Sequence, residues 1–88
     1  MQPSKYIMRV YDTYFNDVRR TITLDKSKND EEAIRTARLS CFLLHPQDTV
    51  EVQVCKRNKQ NTAYEMFAII YYEMDCWLLM ISIRKMNL

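Results

Sequence analysis

The stretch 63-AYEMFAIIYYEMDCWLLMISI-83 decides the fold. It is the most apolar part of the chain, and it reads as two strands joined near Met74-Asp75. Side chains along a strand alternate between faces, so the loop decides which faces combine. With Met74 and Asp75 as the loop, Tyr72 opposes Trp77, Ile70 opposes Leu79, Ala68 opposes Ile81 and Met66 opposes Ile83. That face carries no charge. The same register sets Glu65 against Arg84 on the other face, where opposite charges add a little stability. Met-Asp is poor chemistry for a type I′ turn. A loop from Glu73 to Cys76 keeps the same parity, so both loops stay open.

The other face of this hairpin shows Phe67, Ile69, Tyr71, Leu78 and Met80. A sheet with one wet face alternates apolar and polar residues. Here both faces are apolar, so both need cover. The N-terminal hairpin or the chain ends are one source of cover, and a partner is the other. Tyrosine and methionine are enriched in interfaces, and large apolar patches mark contact sites. These five residues are therefore the candidate partner-binding surface, for another protein or for a second copy as a homodimer.

Upstream, Lys5 to Phe15 reads as a first strand, Asn16-Asp17 as a turn and Val18 to Leu24 as a second strand. A two-residue loop sets Tyr11 across from Ile22. A three-residue loop with a bulge combines Met8 and Val10 with Ile22 and Leu24. Asn29-x-x-Glu32 resembles a capping box, and Asp30, Glu31 and Glu32 suit the positive end of a helix dipole. Ala33, Ile34, Ala37, Cys41 and Leu44 then share one helix face, with Glu31, Arg35 and Arg38 outside. Pro46 restricts His45 and ends the helix near Leu44. Thr49 to Cys55 is a third strand with Val50, Val52 and Val54 inward, and a polar loop runs from Arg57 to Thr62. The order β-β-α-β-β-β predicts a single α+β domain over residues 1–88, a five-stranded antiparallel sheet with one helix packed on one face.

A chain of 88 residues makes one domain with a small core. Hydrophobic residues at 48% and charged residues at 27% suit a folded protein. The start, MQPSKYIMRV, lacks the apolar core of a signal peptide. Glu65, Glu73 and Asp75 interrupt the only stretch long enough for a span of about 20 residues, so no membrane is expected. Glycine is absent, which excludes phosphate-cradling glycine loops. It also leaves turns with positive φ to Asn16-Asp17, Asn29-Asp30, the Asn58 to Asn61 loop and Asp75. Three cysteines without a CxxC pattern and without a secretory signal point to reduced thiols in the cytoplasm.

Chemistry-bearing residues are few. Cys41, His45, Cys55 and Cys76 would make a Cys3His zinc set if they converged, but their spacing fits no zinc motif. Three buried thiols and a histidine before a proline is the simpler reading, and no metal or cofactor is expected. A Cys41–His45 nucleophile pair lacks an oxyanion hole and an orienting group. No catalytic residue is assigned and no enzyme is expected. Arg19, Arg20, Lys56, Arg57 and Lys59, interleaved with tyrosines, offer a second reading as a small nucleic-acid-binding module. The net charge of +2 and eleven acidic residues favour an ordinary mixed surface.

From SKYIMRVYDTY through NDEEAIRTARLSCFLL to CWLLMISIRKM, the chain resembles the small proteins encoded by phages and mobile elements, among them the anti-CRISPR proteins. These are short, single-domain and poor in motifs, and often combine a small sheet with one helix. The resemblance implies a stoichiometric inhibitor that binds a CRISPR-Cas effector or similar defence complex in the host cytoplasm. It carries over no functional residue. Many such inhibitors are acidic DNA mimics. The slightly basic charge here leaves blocking of a protein surface, or contact with nucleic acid, as the implied mechanism.

Overall fold

The computed structural model describes residues 4–44 and 50–81, residue 81 by its backbone alone. The elements are β1 (Tyr6–Asp12), β2 (Asp17–Thr23), α1 (Asp30–Cys41), β3 (Val50–Arg57), β4 (Tyr64–Glu73) and β5 (Cys76–Ile81). All strand pairs are antiparallel, and the sheet order is β2-β1-β3-β4-β5. This is the expected single α+β domain, β-β-α-β-β-β, with one helix on one face of a five-stranded sheet. His45, Pro46 and Arg84, with the readings that involve them, lie outside the described residues.

Alternation places the core. Met8 and Val10 of β1, Val52 and Val54 of β3, and Ala68 and Ile70 of β4 all point under the helix and are buried. On α1 the buried residues are Ala33, Ala37 and Cys41, which fall on one face at helical spacing. Their small side chains let the helix lie close to the sheet. Asn29 caps the helix, its side chain accepting from the Glu32 N–H at 2.9 Å. Glu32 reaches back as a capping box does, but to the N–H of Lys28 at 2.8 Å rather than to Asn29.

One cluster pins the helix start to the sheet. The buried Tyr6 hydroxyl donates to Asp30 Oδ1 at 2.6 Å. Lys56 Nζ donates to both Asp30 oxygens, at 3.2 and 3.3 Å. Asp30 is thereby held between β1 and β3, and the helix packs against those two strands.

The turns show how a chain without glycine makes left-handed corners. Positive φ falls on Asn16, Asn61, Met74 and Asp75. Asn29 is extended, at φ −151°, because it caps rather than turns. Met74-Asp75 forms a two-residue loop between Glu73 and Cys76, so the shorter of the two expected loops is the observed one. In the N-terminal hairpin a bulge opposite Val10 and Tyr11 sets Met8 against Ile22. Ile22 and Leu24 thus join Met8 and Val10 at the core, as the bulged alternative requires, but the loop between Asp12 and Asp17 has four residues rather than three. β1 stops at Asp12 because its buried carboxylate organises the turn, accepting from the Tyr14 N–H and from Arg19, each at 3.0 Å.

A second bulge corrects the reading of the C-terminal hairpin. Val54 pairs with Ala68, but Cys55 pairs with Met66, so Phe67 is the extra residue. It turns in beside Ala68, its ring edge-on to Tyr6 at 6.0 Å, and is only 4% exposed. Phe67 therefore belongs to the core and not to the outer face where unbroken alternation places it. Below the bulge the parity is reversed, and Met66 points away from the helix, 41% exposed. Phe67→Ala is expected to cost about 3–5 kcal/mol, whereas Met80→Ala should stay within about 0.5 kcal/mol. Urea denaturation of the two variants checks this, and equal losses would contradict the bulged placement.

Candidate functional site

The face of the sheet away from the helix divides into two halves. Toward β2 it is mixed: Thr21 and Thr23 of β2, Arg9 of β1, and Glu51 and Gln53 of β3 share it with Tyr11 and with the buried Ile7 and Cys55. Gln53 Nε2 donates to Glu51 Oε1 at 3.2 Å, so this row is internally bonded. Toward β5 it is apolar. Ile69 lies opposite Met80, and Tyr71 opposite Leu78. Ile69 and Tyr71 are half-buried, while Leu78 is 37% and Met80 51% exposed. Four of the five expected partner-binding residues are thus brought together as two cross-strand pairs, and Phe67 is not among them. Nothing described lies over Leu78 and Met80. An apolar patch beside a polar row is the usual anatomy of a contact surface.

The helix side of the same ribbon is also incompletely covered. A groove of about 1150 Å³ runs between α1 and β5, with Ile34, Leu39 and Phe42 on one wall and Phe67, Trp77 and Leu79 on the other. Arg35, Arg38 and Asp75 line it as well. Trp77 packs edge-on against Tyr72 at 5.3 Å and remains half-exposed. Sequence reasoning missed this groove because it credited the helix with covering its whole face. The available signal was Leu39 and Phe42, two large apolar residues off the inward stripe, and both are well exposed.

The basic residues do not form one surface. Arg19 is ion-paired with Asp12 at 3.0 Å and Lys56 with Asp30 at 3.2 Å. Arg57 donates to the Asn61 carbonyl at 3.0 Å and lies over the Tyr64 ring. Arg20 is level with Val10 on β1, and Lys56 with Tyr6, four positions away. At about 3.3 Å per residue that is roughly 13 Å along the strand, with β1 between them. Lys59 sits on the loop after β3. The tyrosines divide as well: Tyr6 is buried under the helix, whereas Tyr71 faces the other way.

The cysteines are likewise held apart. Cys41 is buried on the helix, Cys55 is buried on β3 with the parity of the opposite face, and Cys76 is exposed beside the hairpin loop. Among the described residues, no group of three or more Cys, His, Asp or Glu side chains could hold a metal. Asp30 and Glu32 are engaged in pinning and capping the helix. No described helix is long and apolar enough to cross a membrane.

Burial sets the thiol chemistry. Desolvation pushes the Cys41 thiol from its ordinary 9.0 up to about 11, against the smaller opposing pull of Arg38. Burial raises Cys55 also, with Arg9 opposing. Tyr6 is raised by burial first, then by its hydrogen bond to Asp30 and the Asp30 charge.

Comparison with family models, with curated proteins and with solved structures finds no match for this chain.

Two outcomes are expected of the thiols. In the native protein iodoacetamide should label Cys76 alone, Cys41 and Cys55 reacting only on unfolding; mass spectrometry of the digest reads this. A folded-state pKa above the unfolded one means the stabilisation is complete below that unfolded value and fades as pH rises through the folded one. Stability should therefore fall between about pH 9 and 11, and less steeply in Cys41→Ala. An unchanged slope would contradict the burial of that thiol.

Proposed function

We propose that this chain is a non-enzymatic interaction protein that docks on a protein partner through the uncovered half of its sheet, as a phage-type inhibitor of a bacterial defence complex does. One observation carries the reading. Leu78 and Met80 stand exposed on an edge strand, paired with Tyr71 and Ile69, where a covered or wet sheet would have closed the patch or made it polar. The resemblance to anti-CRISPR proteins supplies the class of partner, a CRISPR-Cas effector.

Magnitudes say how such a surface must work. Burying a large apolar side chain completely is worth about 1.5–3 kcal/mol, and these four are already partly buried. Association itself costs about 4–15 kcal/mol. The patch alone therefore supports weak binding, and a tight complex has to use the neighbouring polar row of Glu51, Gln53 and Arg9 for its rim. That row also supplies the specificity an apolar patch lacks.

The basic residues give the nucleic-acid reading little support. Arg19 and Lys56 are neutralised by carboxylates, and the others do not line a common groove.

The experiment is capture of purified CRISPR-Cas effector complexes by the native chain and by Leu78→Asp and Met80→Asp. Both positions are exposed, so circular dichroism should be unchanged. Affinity for the bound complex should fall at least about tenfold, or 1.4 kcal/mol. Variants that bind as the native chain does would sink the reading. So would affinity only for single-stranded RNA or DNA that drops steeply with salt.

A further inference from the structure

We infer that β5 pairs antiparallel with the β5 of a second copy, about a two-fold axis at Leu79, so that two sheets become one. The inference rests on the reading of the ribbon as a docking surface, and names one occupant of its edge.

β5 ends the sheet, and no described strand lies on its outer side. The two-residue loop fixes which of its backbone groups are free. Glu73 and Cys76 flank the loop and form a hydrogen-bonded pair. Alternation then directs the N–H and C=O of Cys76, Leu78 and Met80 toward β4, and those of Trp77, Leu79 and Ile81 outward. That outward row is a template for another strand.

The two edges of this sheet differ in kind. β2, the other edge, has the charged sequence DVRRTIT and a bulge against β1, two devices that discourage edge pairing. β5 reads CWLLMI, with no charge, no proline and no register shift against β4. The unguarded edge is also the apolar one, with Leu78 and Met80 exposed on one face and Trp77 and Leu79 half-exposed on the other.

The strand is complementary to itself when antiparallel. A two-fold axis at Leu79 pairs Trp77 with the partner's Ile81 and Leu78 with the partner's Met80. Every outward backbone group then meets one of the opposite kind. An isologous two-fold contact is also the commonest way for a chain to meet itself. The joined edges merge two Leu78–Met80 patches into one surface. An edge contact of this length falls near or below the floor of about 1,200 Å² for stable interfaces, so the dimer should depend on concentration.

The test is sedimentation equilibrium of the full chain from micromolar to millimolar concentration, with a cross-linking experiment to fix the register. The native chain should move from monomer to dimer. Leu79→Pro removes an outward N–H and should leave a folded monomer by circular dichroism. In a Cys76→Ser background, Leu78→Cys protein mixed with Met80→Cys protein should form an intermolecular disulfide under mild oxidation. Neither should do so alone, because a non-hydrogen-bonded pair sets the two positions about 4.5 Å apart. A chain that stays monomeric throughout overturns the pairing, as does a dimer whose mixture fails to cross-link. If that monomer still loses its effector on Leu78→Asp, the docking surface stands and only the edge pairing is lost.

Discussion

Asp30 decides what the helix covers. It is the first residue of α1, and it accepts from Tyr6 of β1 and Lys56 of β3 at once. The helix start is therefore fixed over the middle of the sheet. A helix is about 10–12 Å across with its side chains, while five strands at about 4.8 Å span roughly 19 Å between outer axes. One helix placed centrally must leave strands uncovered at both margins. On the β2 side this costs little, because Arg20 is suited to water and Ile22 packs against the core. On the β5 side it exposes Trp77 and Leu79 along a groove. Partial cover thus follows from width and placement together.

The small residues Ala33 and Ala37 act in the same direction. They let the helix settle against Val52, Val54 and Met8, which are all fully buried. A helix that sits low and close shields what lies directly beneath it and little at its flanks. Bulkier residues there would raise the helix, opening voids over β3 without reaching β5. Close packing of the core and the open groove beside it are two results of one choice of side chains.

Most of the architecture was legible in the sequence, because it rests on period and punctuation. The alternation of Val50, Val52 and Val54 marked the third strand, Asn29 and Glu32 marked the helix start, and Met74-Asp75 marked the hairpin, but the order of the strands in the sheet was not legible. Parity also placed Ile69, Tyr71, Leu78 and Met80 on one face, where they lie. Phe67 escaped because a bulge has no signature in a run such as EMFAII. The extra residue is chosen by the hole between Tyr6, Lys56 and Ala68, which only the folded sheet defines. The groove escaped for a related reason. Periodicity tells which face of a helix is apolar, but not how far across a sheet that face extends.

The ion pairs bear on function by what they remove. Asp12 takes Arg19 and Asp30 takes Lys56, each in a part-buried bond that belongs to the fold. Half-exposed pairs like these are worth little as stability, but they withdraw two of the five candidate cations from any long-range field. The chain as a whole carries a net charge of only +2 on a mixed surface, which is little to steer a polyanion with. Among the described residues, the apolar side chains left most open on β5 are Leu78 and Met80, whereas Trp77 and Leu79 on its other side pack partly against the core. A chain this small has little hydrophobic surface to spare for anything but its core. Leaving Leu78 and Met80 in water forgoes stability that burial would have supplied, and the proposed docking surface rests on that.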